Sequence, residues 1–351
     1  MKPLEKLFAV VLTFLLGLSC LPRAGIAADL IRVGDGPFIS GGGFFIARDK
    51  GYFKKLGIDI QTRIFNDGSL SVPAMISGEL EITTLPAAAN MFNTVARGGP
   101  MKVILDRGNN RPGRGYTVVN VTQALYDQGV HSLADFAKLK GKKFGVGALG
   151  SINQYNLARA LQKAGVDPAK GVHWVVNVPQ PELMKMIGQG QVDVTDLAYQ
   201  FGVFAQNNHW GPVIANGDQI EPNEQIAAYV VRKDYLAQHR DAVVRWAMAY
   251  LQGVKEFNAA AAAPDKHPDI VAILAKNTAL NKPALVKAIA PHWAYVNEDG
   301  IPNVASIMAM QDFWSTSDFN FVHKKVSADE LFDLSIAKEA KARLDKENPF
   351  K

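Results

Sequence analysis

The 351-residue sequence predicts an α/β fold of two similar lobes. Short apolar strands alternate with helical segments through the first two thirds of the chain, which is typical of mostly parallel sheets with helices on both faces. One helix-to-strand motif occurs twice, once in each half of this region. Two apolar extended segments flank the second half, which indicates that the chain crosses between the lobes twice.

The first half of the alternating region contains four predicted strands and two predicted helices. The strands lie at 30–36, 58–65, 80–85 and 101–105. The first helix runs over 69–77, with Pro73 in its first turn, where N–H groups have no partner within the helix. Pro86 begins the second helix, which ends near residue 97.

The second half of the region repeats this order of elements. A strand within 141–151 leads into a helix, and a second strand at 173–178 precedes a helix at 182–190. The segment from Gly78 to Leu85 then matches the segment from Gly190 to Leu197. In both, a glycine ends a helix and a polar/apolar alternation leads to Thr-x-Leu. We interpret the two halves as two lobes with the same architecture.

Two crossing segments define the predicted lobes. The apolar segments 115–121 and 225–231 are predicted to form a two-stranded crossing between them. Residues 29–118 and 228–351 would then form lobe 1, and residues 119–227 would form lobe 2. From Asp234 the chain is mainly helical. One long helix with an apolar stripe is predicted there, and the late helices are expected to return to lobe 1.

Residues 1–28 have the features of a cleaved export signal. A short, mostly basic start is followed by an apolar run and by small residues that allow cleavage after Ala27 or Ala28. The apolar run is shorter than the roughly 20 residues of a spanning helix. Cys20, the only cysteine, lies inside this segment, and a lipid on Cys20 is the alternative. Gly17 stands where lipoprotein signals usually have leucine, so the periplasm is the predicted location.

Composition and motifs argue against several classes of protein. Hydrophobic residues make up 48% and charged residues 20% of the chain, as in folded globular proteins. The formal net charge is +5 without a basic, aromatic stripe, so no nucleic-acid partner is expected. The sequence contains no Walker loop, HExxH or GxSxG motif, and the mature chain has no thiol. We therefore expect no catalytic residue, no metal and no cofactor.

Polar loops between strands and helices form the candidate ligand site. In parallel sheets such loops lie at the carboxyl ends of the strands, and two facing lobes would bring them to one cleft. The alternative is that each loop only caps a helix. Gly150 and Ser151 are the sharpest candidates, because a helix N-terminus carries partial positive charge and glycine allows close approach to the backbone. The predicted ligand-binding residues are Ser40, Gly42, Phe44, Asn66, Ser69, Pro86, Arg107, Gly150, Ser151, Asn153, Tyr155, Asp196 and Tyr199.

Four segments of the chain resemble periplasmic substrate-binding proteins of ABC importers, in the nitrate, sulfonate/taurine and thiamin-pyrimidine precursor branch. They are FFIARDKGYFKKLGIDI (44–60), AMISGELEI (74–82), SLADFAKLKGKKFGVGALGS (132–151) and LQKAGV (161–166). The resemblance covers 29–345. It implies a type II periplasmic-binding-protein fold, closure of two lobes on a ligand, and an ABC permease as partner. It also implies that the helix led by the glycines at 41–43 presents backbone N–H groups to the cleft.

The same resemblance specifies the ligand only in part. Sulfonate binders carry a Gly-Ser-Gly-Ser-type loop, whereas this chain has GSIN at 150–153, which favours a larger organic anion such as an aromatic carboxylate. Arg107 is expected to contact the anion through its planar guanidinium. Arg111 and Arg114 are explained as well by a solvated basic loop. An enzyme of the thiamin-pyrimidine synthase type and a sensory binding protein are the alternative functions, and a monomer is expected.

Overall fold

The computed structural model describes residues 28–350, so residues 1–27 of the predicted signal, with Cys20, lie outside the described residues. The strands form two five-stranded sheets and one two-stranded ribbon. They are β1 (Asp29–Asp35), β2 (Ile58–Ile64), β3 (Ile82–Pro86), β4 (Met101–Asp106), β5 (Asn109–Asn110), β6 (Thr117–Val121), β7 (Lys143–Gly145), β8 (His173–Val175), β9 (Val194–Ala198), β10 (Val213–Asn216), β11 (Glu224–Gln225) and β12 (Ala227–Arg232).

The two large sheets define lobe 1 and lobe 2 and have the same layout. Lobe 1 has the strand order β2-β1-β3-β12-β4, and lobe 2 has the order β8-β7-β9-β6-β10. In each, four strands run in one direction and the fourth in the order is reversed. The reversed strands are β6 and β12, which are the first strands after each crossing between lobes. The predicted α/β fold of two related lobes is confirmed, with mixed sheets.

Helices cover both sheets and make up most of the chain after β12. They are α1 (Gly42–Asp49), α2 (Tyr52–Lys55), α3 (Val72–Ile76), α4 (Ala89–Ala96), α5 (Gln123–Asp127), α6 (Ile152–Lys163), α7 (Gln180–Gly188), α8 (Tyr199–Asn207), α9 (Gly217–Ile220), α10 (Lys233–Gln238), α11 (Arg240–Ala262), α12 (Pro268–Asn277), α13 (Pro283–Ala288), α14 (Val304–Trp314), α15 (Ala328–Leu331) and α16 (Ser335–Lys346). Between residues 28 and 350, none of these helices combines the length and apolar character that crossing a bilayer requires.

The crossing between lobes is the short ribbon of β5 and β11, which the predicted segments 115–121 and 225–231 overlap only at Gln225. Asn110 pairs with Glu224 and Asn109 with Gln225. The predicted segment 115–121 instead contains β6, which pairs with β9 and β10 inside lobe 2. The prediction relied on apolar character, which is typical of a strand that is buried on both faces inside a sheet. The crossing ribbon has only two residues in each strand, and all of them are polar. The lobe boundaries themselves stay a prediction.

Two predicted helix limits are also wrong. Pro86 ends β3 instead of beginning a helix, because the Ala87 N–H donates to the Ile226 carbonyl at 3.1 Å and continues the pairing with the neighbouring chain. The predicted long helix from Asp234 is interrupted at His239, whose backbone is not helical (φ −129°, ψ 35°). The His239 carbonyl accepts the Val243 N–H, so the residue also begins α11.

The glycines at 41–43 allow α1 to lie against α11. A Cβ at Gly42 would lie 2.3 Å from the Phe257 ring, and one at Gly43 would lie 2.8 Å from Val254. From the other side, a Cβ at Gly253 would lie 2.0 Å from the Gly43 carbonyl oxygen. These glycines therefore serve helix packing, since no side chain fits between these surfaces, and the contact of their N–H groups with a ligand stays a prediction.

Candidate ligand-binding site

Loops from both lobes meet at Gly150. Its carbonyl accepts the Ala89 N–H at 2.9 Å, which joins the loop before α6 in lobe 2 to the start of α4 in lobe 1. Gly150 has φ +68°, and a Cβ there would lie 2.5 Å from the Ala89 Cβ. Only glycine suits both this backbone conformation and this contact. Gly150 therefore lies at the point where the lobes touch, and its predicted contact with a ligand stays a prediction.

Arg107 lies at the end of β4 and is buried, with 2% of its surface exposed. Its guanidinium pairs with the Asp35 carboxylate and donates to the Ser40 hydroxyl at 2.9 Å. The Tyr229 hydroxyl donates to the second oxygen of Asp35. The arginine charge is thus balanced by a carboxylate of the same lobe, and Nε is the buried atom of Arg107 that has no hydrogen-bond partner among the described residues.

Gln200 joins this cluster from lobe 2. The Tyr116 hydroxyl lies beside both Ser40 and Gln200, and burial raises the pKa of that hydroxyl. Gln200 is 9% exposed, and apart from this neighbouring hydroxyl neither its amide nitrogen nor its amide oxygen has a partner within residues 28–350. A buried amide left without partners is costly, so this side chain is suited to a polar ligand.

A second set of unpaired polar atoms flanks the contact between Ala89 and Gly150. Asn90 follows Ala89 on α4, and its buried side-chain oxygen has no partner in the described part of the chain. Gln154 accepts the Gly150 N–H at 2.7 Å through Oε1, while its buried Nε2 has no hydrogen-bond partner within residues 28–350. One acceptor from lobe 1 and one donor from lobe 2 therefore lie next to the same interlobe contact.

Ser151 caps α6 in this conformation. Its Oγ accepts the Gln154 N–H at 3.2 Å, which is the capping geometry of a helix N-terminus. Asn153, two residues on, donates to the buried carboxyl group of Asp196 at 2.5 Å. Both side chains are thus engaged within lobe 2, and their predicted contact with a ligand stays a prediction.

Asp196 and Glu224 form a buried carboxyl pair beside the crossing ribbon. The amide of Asn156 also donates to Asp196 at 3.2 Å, and Asn110 donates to Glu224 at 2.8 Å. Burial raises the pKa of Asp196 to about 8. Burial, with Asp196 nearby, also raises the pKa of Glu224 well above its ordinary value. The hydrogen-bond donors around the pair are neutral groups, so burial favours the protonated form of these carboxyl groups.

Tyr199 connects the start of α8 to the C-terminal region. Its ring stacks on the His292 ring with 3.8 Å between centroids and an interplanar angle of 10°. Its N–H donates to the Tyr116 carbonyl at 2.7 Å. Burial lowers the pKa of His292, whose Nδ1 lies 3.1 Å from the Gly115 carbonyl oxygen. Tyr199 thus contributes to contact between the lobes.

The remaining predicted residues lie in helices, strands and turns of both lobes. Phe44 is fully buried among aromatic rings of lobe 1, and Gly42 faces Phe257. Tyr155 is buried with its ring edge against Phe313 of α14 at 5.1 Å between centroids. In this conformation these three have core roles, because their surfaces are used by neighbouring side chains. Asn66 is exposed, while Ser69 in a short 3-10 helix and Pro86 at the end of β3 are half-buried.

Sequence reasoning missed the residues that carry the unpaired atoms and the carboxyl pair. They are Asn90, Tyr116, Gln154, Gln200 and Glu224. A usable signal was present, since Gln154 and Gln200 lie in the first turns of the helices after two candidate loops. Their burial could not be read from the sequence, because it depends on contact between the lobes. No cluster of metal-ligating side chains occurs within residues 28–350.

A family model described as NMT1/THI5 like matches residues 40–267, which is more than half of the chain. This chain belongs to the NMT1/THI5-like family. The NMT1/THI5-like protein is 27% identical over 267 residues to "Putative binding protein BAB2_1146" of Brucella abortus (strain 2308), and the match covers 73% of this chain and 75% of the relative.

Solved structures share the fold of this NMT1/THI5-like protein. The periplasmic nitrate-binding protein NrtA from Synechocystis PCC 6803 matches with a TM-score of 0.71 at 13% identity, over 91% of this chain and 90% of that chain. The alkanesulfonate-binding protein SsuA from Xanthomonas axonopodis pv. citri, bound to MOPS, matches with a TM-score of 0.67 at 16% identity, over 87% and 99%. These likenesses show the periplasmic-binding-protein fold.

Proposed function

We propose that this protein is an exported substrate-binding protein, which captures a small organic ligand between its lobes in the periplasm and delivers it to an ABC permease. One observation carries the proposal: buried polar atoms without partners lie on both sides of the interlobe contact. Arg107 and Asn90 supply them from lobe 1, and Gln154 and Gln200 from lobe 2. A ligand that pairs these atoms would favour the closed arrangement, since each unpaired buried group is costly.

The ligand is proposed to be an organic anion that also carries neutral hydrogen-bonding groups. The Nε–H of Arg107 has no partner within residues 28–350, although the charge of the guanidinium is balanced by Asp35. The amides of Asn90, Gln154 and Gln200 outnumber this single charged donor and suit hydroxyl, amide or ring-nitrogen groups. The nitrate-binding and alkanesulfonate-binding proteins of the same fold support an anion, and the additional amides favour a larger molecule than nitrate.

A ligand screen followed by one matched pair of variants tests this function. Melting curves of the mature protein with aliphatic sulfonates, nitrate, aromatic carboxylates and pyrimidines should reveal a ligand. At a hundredfold excess over its dissociation constant, a ligand adds about 2.7 kcal/mol of stability. For the compound found, Gln200→Leu should weaken binding about tenfold or more in calorimetric titration, because it removes two buried polar atoms without a large change in volume.

Gln189→Leu is the matched control for this titration. It makes the same change at an exposed position at the end of α7 in lobe 2. Its affinity should stay within about twofold of the parent. Equal affinities of the parent and a folded Gln200→Leu protein would remove this cluster from the ligand site.

Binding of the ligand and its use are tested separately. A sensory protein would bind the same compound without delivering it to an ABC permease. If this protein serves transport, uptake of the compound by the reconstituted permease should depend on addition of the mature protein. An enzyme of the thiamin-pyrimidine synthase type would instead convert the compound. The cysteine-rich motif that the resemblance associates with that enzyme is missing, since Cys20 is the only cysteine of the sequence. Recovery of unchanged compound after incubation would support binding over conversion.

A further inference from the structure

A cavity of about 590 Å³ lies beside the crossing, and its lining includes neither Arg107 nor Gln200. One wall is the loop 111–114, which leads from β5 to β6. The opposite wall is formed by α11 together with the segment after α13. The side chains that matter for its charge and shape are Arg111, Arg114, Lys255, Asn258, Tyr295 and Glu298.

The cavity concentrates positive charge. Three of its lining side chains are cationic and one is a carboxylate, which leaves a formal excess of two positive charges. The guanidinium of Arg111 lies over the Tyr295 ring, 4.1 Å from its centroid. No ion pair involving Arg111, Arg114 or Lys255 is formed with a carboxylate among residues 28–350. The cations are therefore available to an anion from solution.

The fold holds two of these cations close together. The Arg114 N–H donates to the Arg111 carbonyl at 2.8 Å, which closes the loop into a turn. The Gly113 N–H donates to Asp218 at 2.7 Å and anchors the turn on lobe 2. Burial and the charge of Arg111 lower the pKa of Arg114. The loop therefore holds two like charges close together, with Arg114 half-buried. Such repulsion is relieved by a bound anion.

The opposite wall is rigid. The Asn258 amide donates to the Val296 carbonyl at 2.8 Å, and the Asn109 N–H donates to the Tyr295 carbonyl at 2.8 Å. These bonds tie the segment that carries Tyr295 and Glu298 to α11 and to the crossing ribbon. The cavity is thus an open concave site between hydrogen-bonded backbone segments, and the side chains of Arg111, Lys255 and Glu298 are exposed in it.

We propose that this cavity is a second binding site, for a small dianion with a phosphate group or two carboxylates. The planar forks of Arg111 and Arg114 suit the paired oxygens of either group, and Lys255 adds a point charge from the opposite wall. Two negative charges match the excess of the lining residues. The concave shape favours a small molecule over an acidic protein surface. The site is independent of the proposed interlobe ligand.

Calorimetric titration of the mature protein with inorganic phosphate and with succinate tests the site, at constant ionic strength with acetate as the monovalent control. We expect both dianions to bind more tightly than acetate. Arg114→Gln should weaken their binding about tenfold, and Glu298→Gln should strengthen it, because it removes the only carboxylate of the lining. Arg97→Gln removes an exposed cation that does not line the cavity and should leave binding within about twofold.

Three results would overturn the proposal. One is equal binding of dianions and acetate, which would indicate general charge attraction. Another is dianion binding that Gln200→Leu removes and Arg114→Gln does not, since this would place the anion between the lobes. The third is weaker binding by Glu298→Gln. Melting curves of each variant establish that it is folded before titration.

Discussion

Ser151 is the residue for which a capping role and a ligand role can be separated. Its hydroxyl accepts the Gln154 N–H at 3.2 Å, so Ser151→Ala removes an N-cap. We expect the free energy of unfolding to fall by about 1 kcal/mol in denaturant titration. If capping is its only role, ligand affinity should be unchanged, because the hydroxyl is engaged by the helix. A loss of affinity without a loss of stability would assign the hydroxyl to the ligand.

The pH dependence of stability should come largely from buried carboxyl groups. Burial raises the pKa of Asp196 from 3.8 to about 8, so the folded protein holds a proton that the unfolded chain releases above about pH 4. The free energy of unfolding should therefore decrease as the pH rises from about 4 to 8, by at most about 1.4 kcal/mol per pH unit for this group. Asp196→Asn should reduce that decrease.

The comparison requires denaturant titrations of both proteins at about pH 5.5 and pH 8. Part of the decrease should persist in the variant, because burial also raises the pKa of Glu224, and that of Asp106 to about 6. Glu182→Gln, at a carboxylate with about half its side chain exposed, is the control and should keep the parent's slope. An unchanged slope in Asp196→Asn would show that Asp196 is ionised in the folded protein.

At the scale of elements, the repeat read from the sequence is confirmed in hydrogen bonds as well as in strand order. Glu81 and Asp193 occupy matching positions, and each accepts a backbone N–H from the neighbouring strand, at 2.7 Å and 2.8 Å. Thr83 and Thr195 each donate to a glycine carbonyl of that strand, at 3.1 Å and 2.9 Å. These contacts follow from local spacing along one strand, which is why a sequence motif could reveal them.

The contacts that the sequence did not predict join segments far apart in the chain. Arg107 was expected to contact a ligand, but Asp35, 72 residues earlier, balances its charge. Phe44 follows three glycines in the sequence and was expected at the ligand site, yet Tyr229 and Trp246 pack against its ring. In both cases the decisive partner comes from another element, and neither periodicity nor spacing within one segment specifies it.

The contact between α1 and α11 gives a test at the same scale. Alanine in place of a glycine inside a helix ordinarily stabilises a protein by roughly 0.5–1 kcal/mol. At Gly253 the added methyl group would lie 2.0 Å from the Gly43 carbonyl oxygen, so we expect Gly253→Ala to lower the free energy of unfolding by about 1–3 kcal/mol. Denaturant titration measures it. Ala259→Gly, on the exposed face of α11, measures the effect of an alanine–glycine exchange on helix stability where no packing is involved. A Gly253→Ala protein more stable than the parent would contradict the close packing of α1 and α11.

For the whole molecule, the contacts between lobes describe a closed arrangement. Ala89 meets Gly150 at one point, and Tyr199 stacks on His292 at another. Opening must break both, while the ribbon of β5 and β11 keeps the lobes connected. Hinge motion about short crossing segments is a common way for two-lobed proteins to enclose ligands. We therefore expect ligand to favour the compact form in small-angle scattering.

Gly150→Val should separate closure from folding. Valine there requires a positive φ that strains a branched side chain, and its Cβ would lie 2.5 Å from the Ala89 Cβ and push the lobes apart. Gly165→Val is the matched control, because Gly165 has a similar φ of +74° with nothing within 4 Å of an added Cβ. Both variants should lose stability from backbone strain. Only Gly150→Val should bind ligand about tenfold more weakly or worse, and only its radius of gyration should fail to decrease when ligand is added. Normal compaction and affinity in a folded Gly150→Val protein would show that the lobes close without this contact.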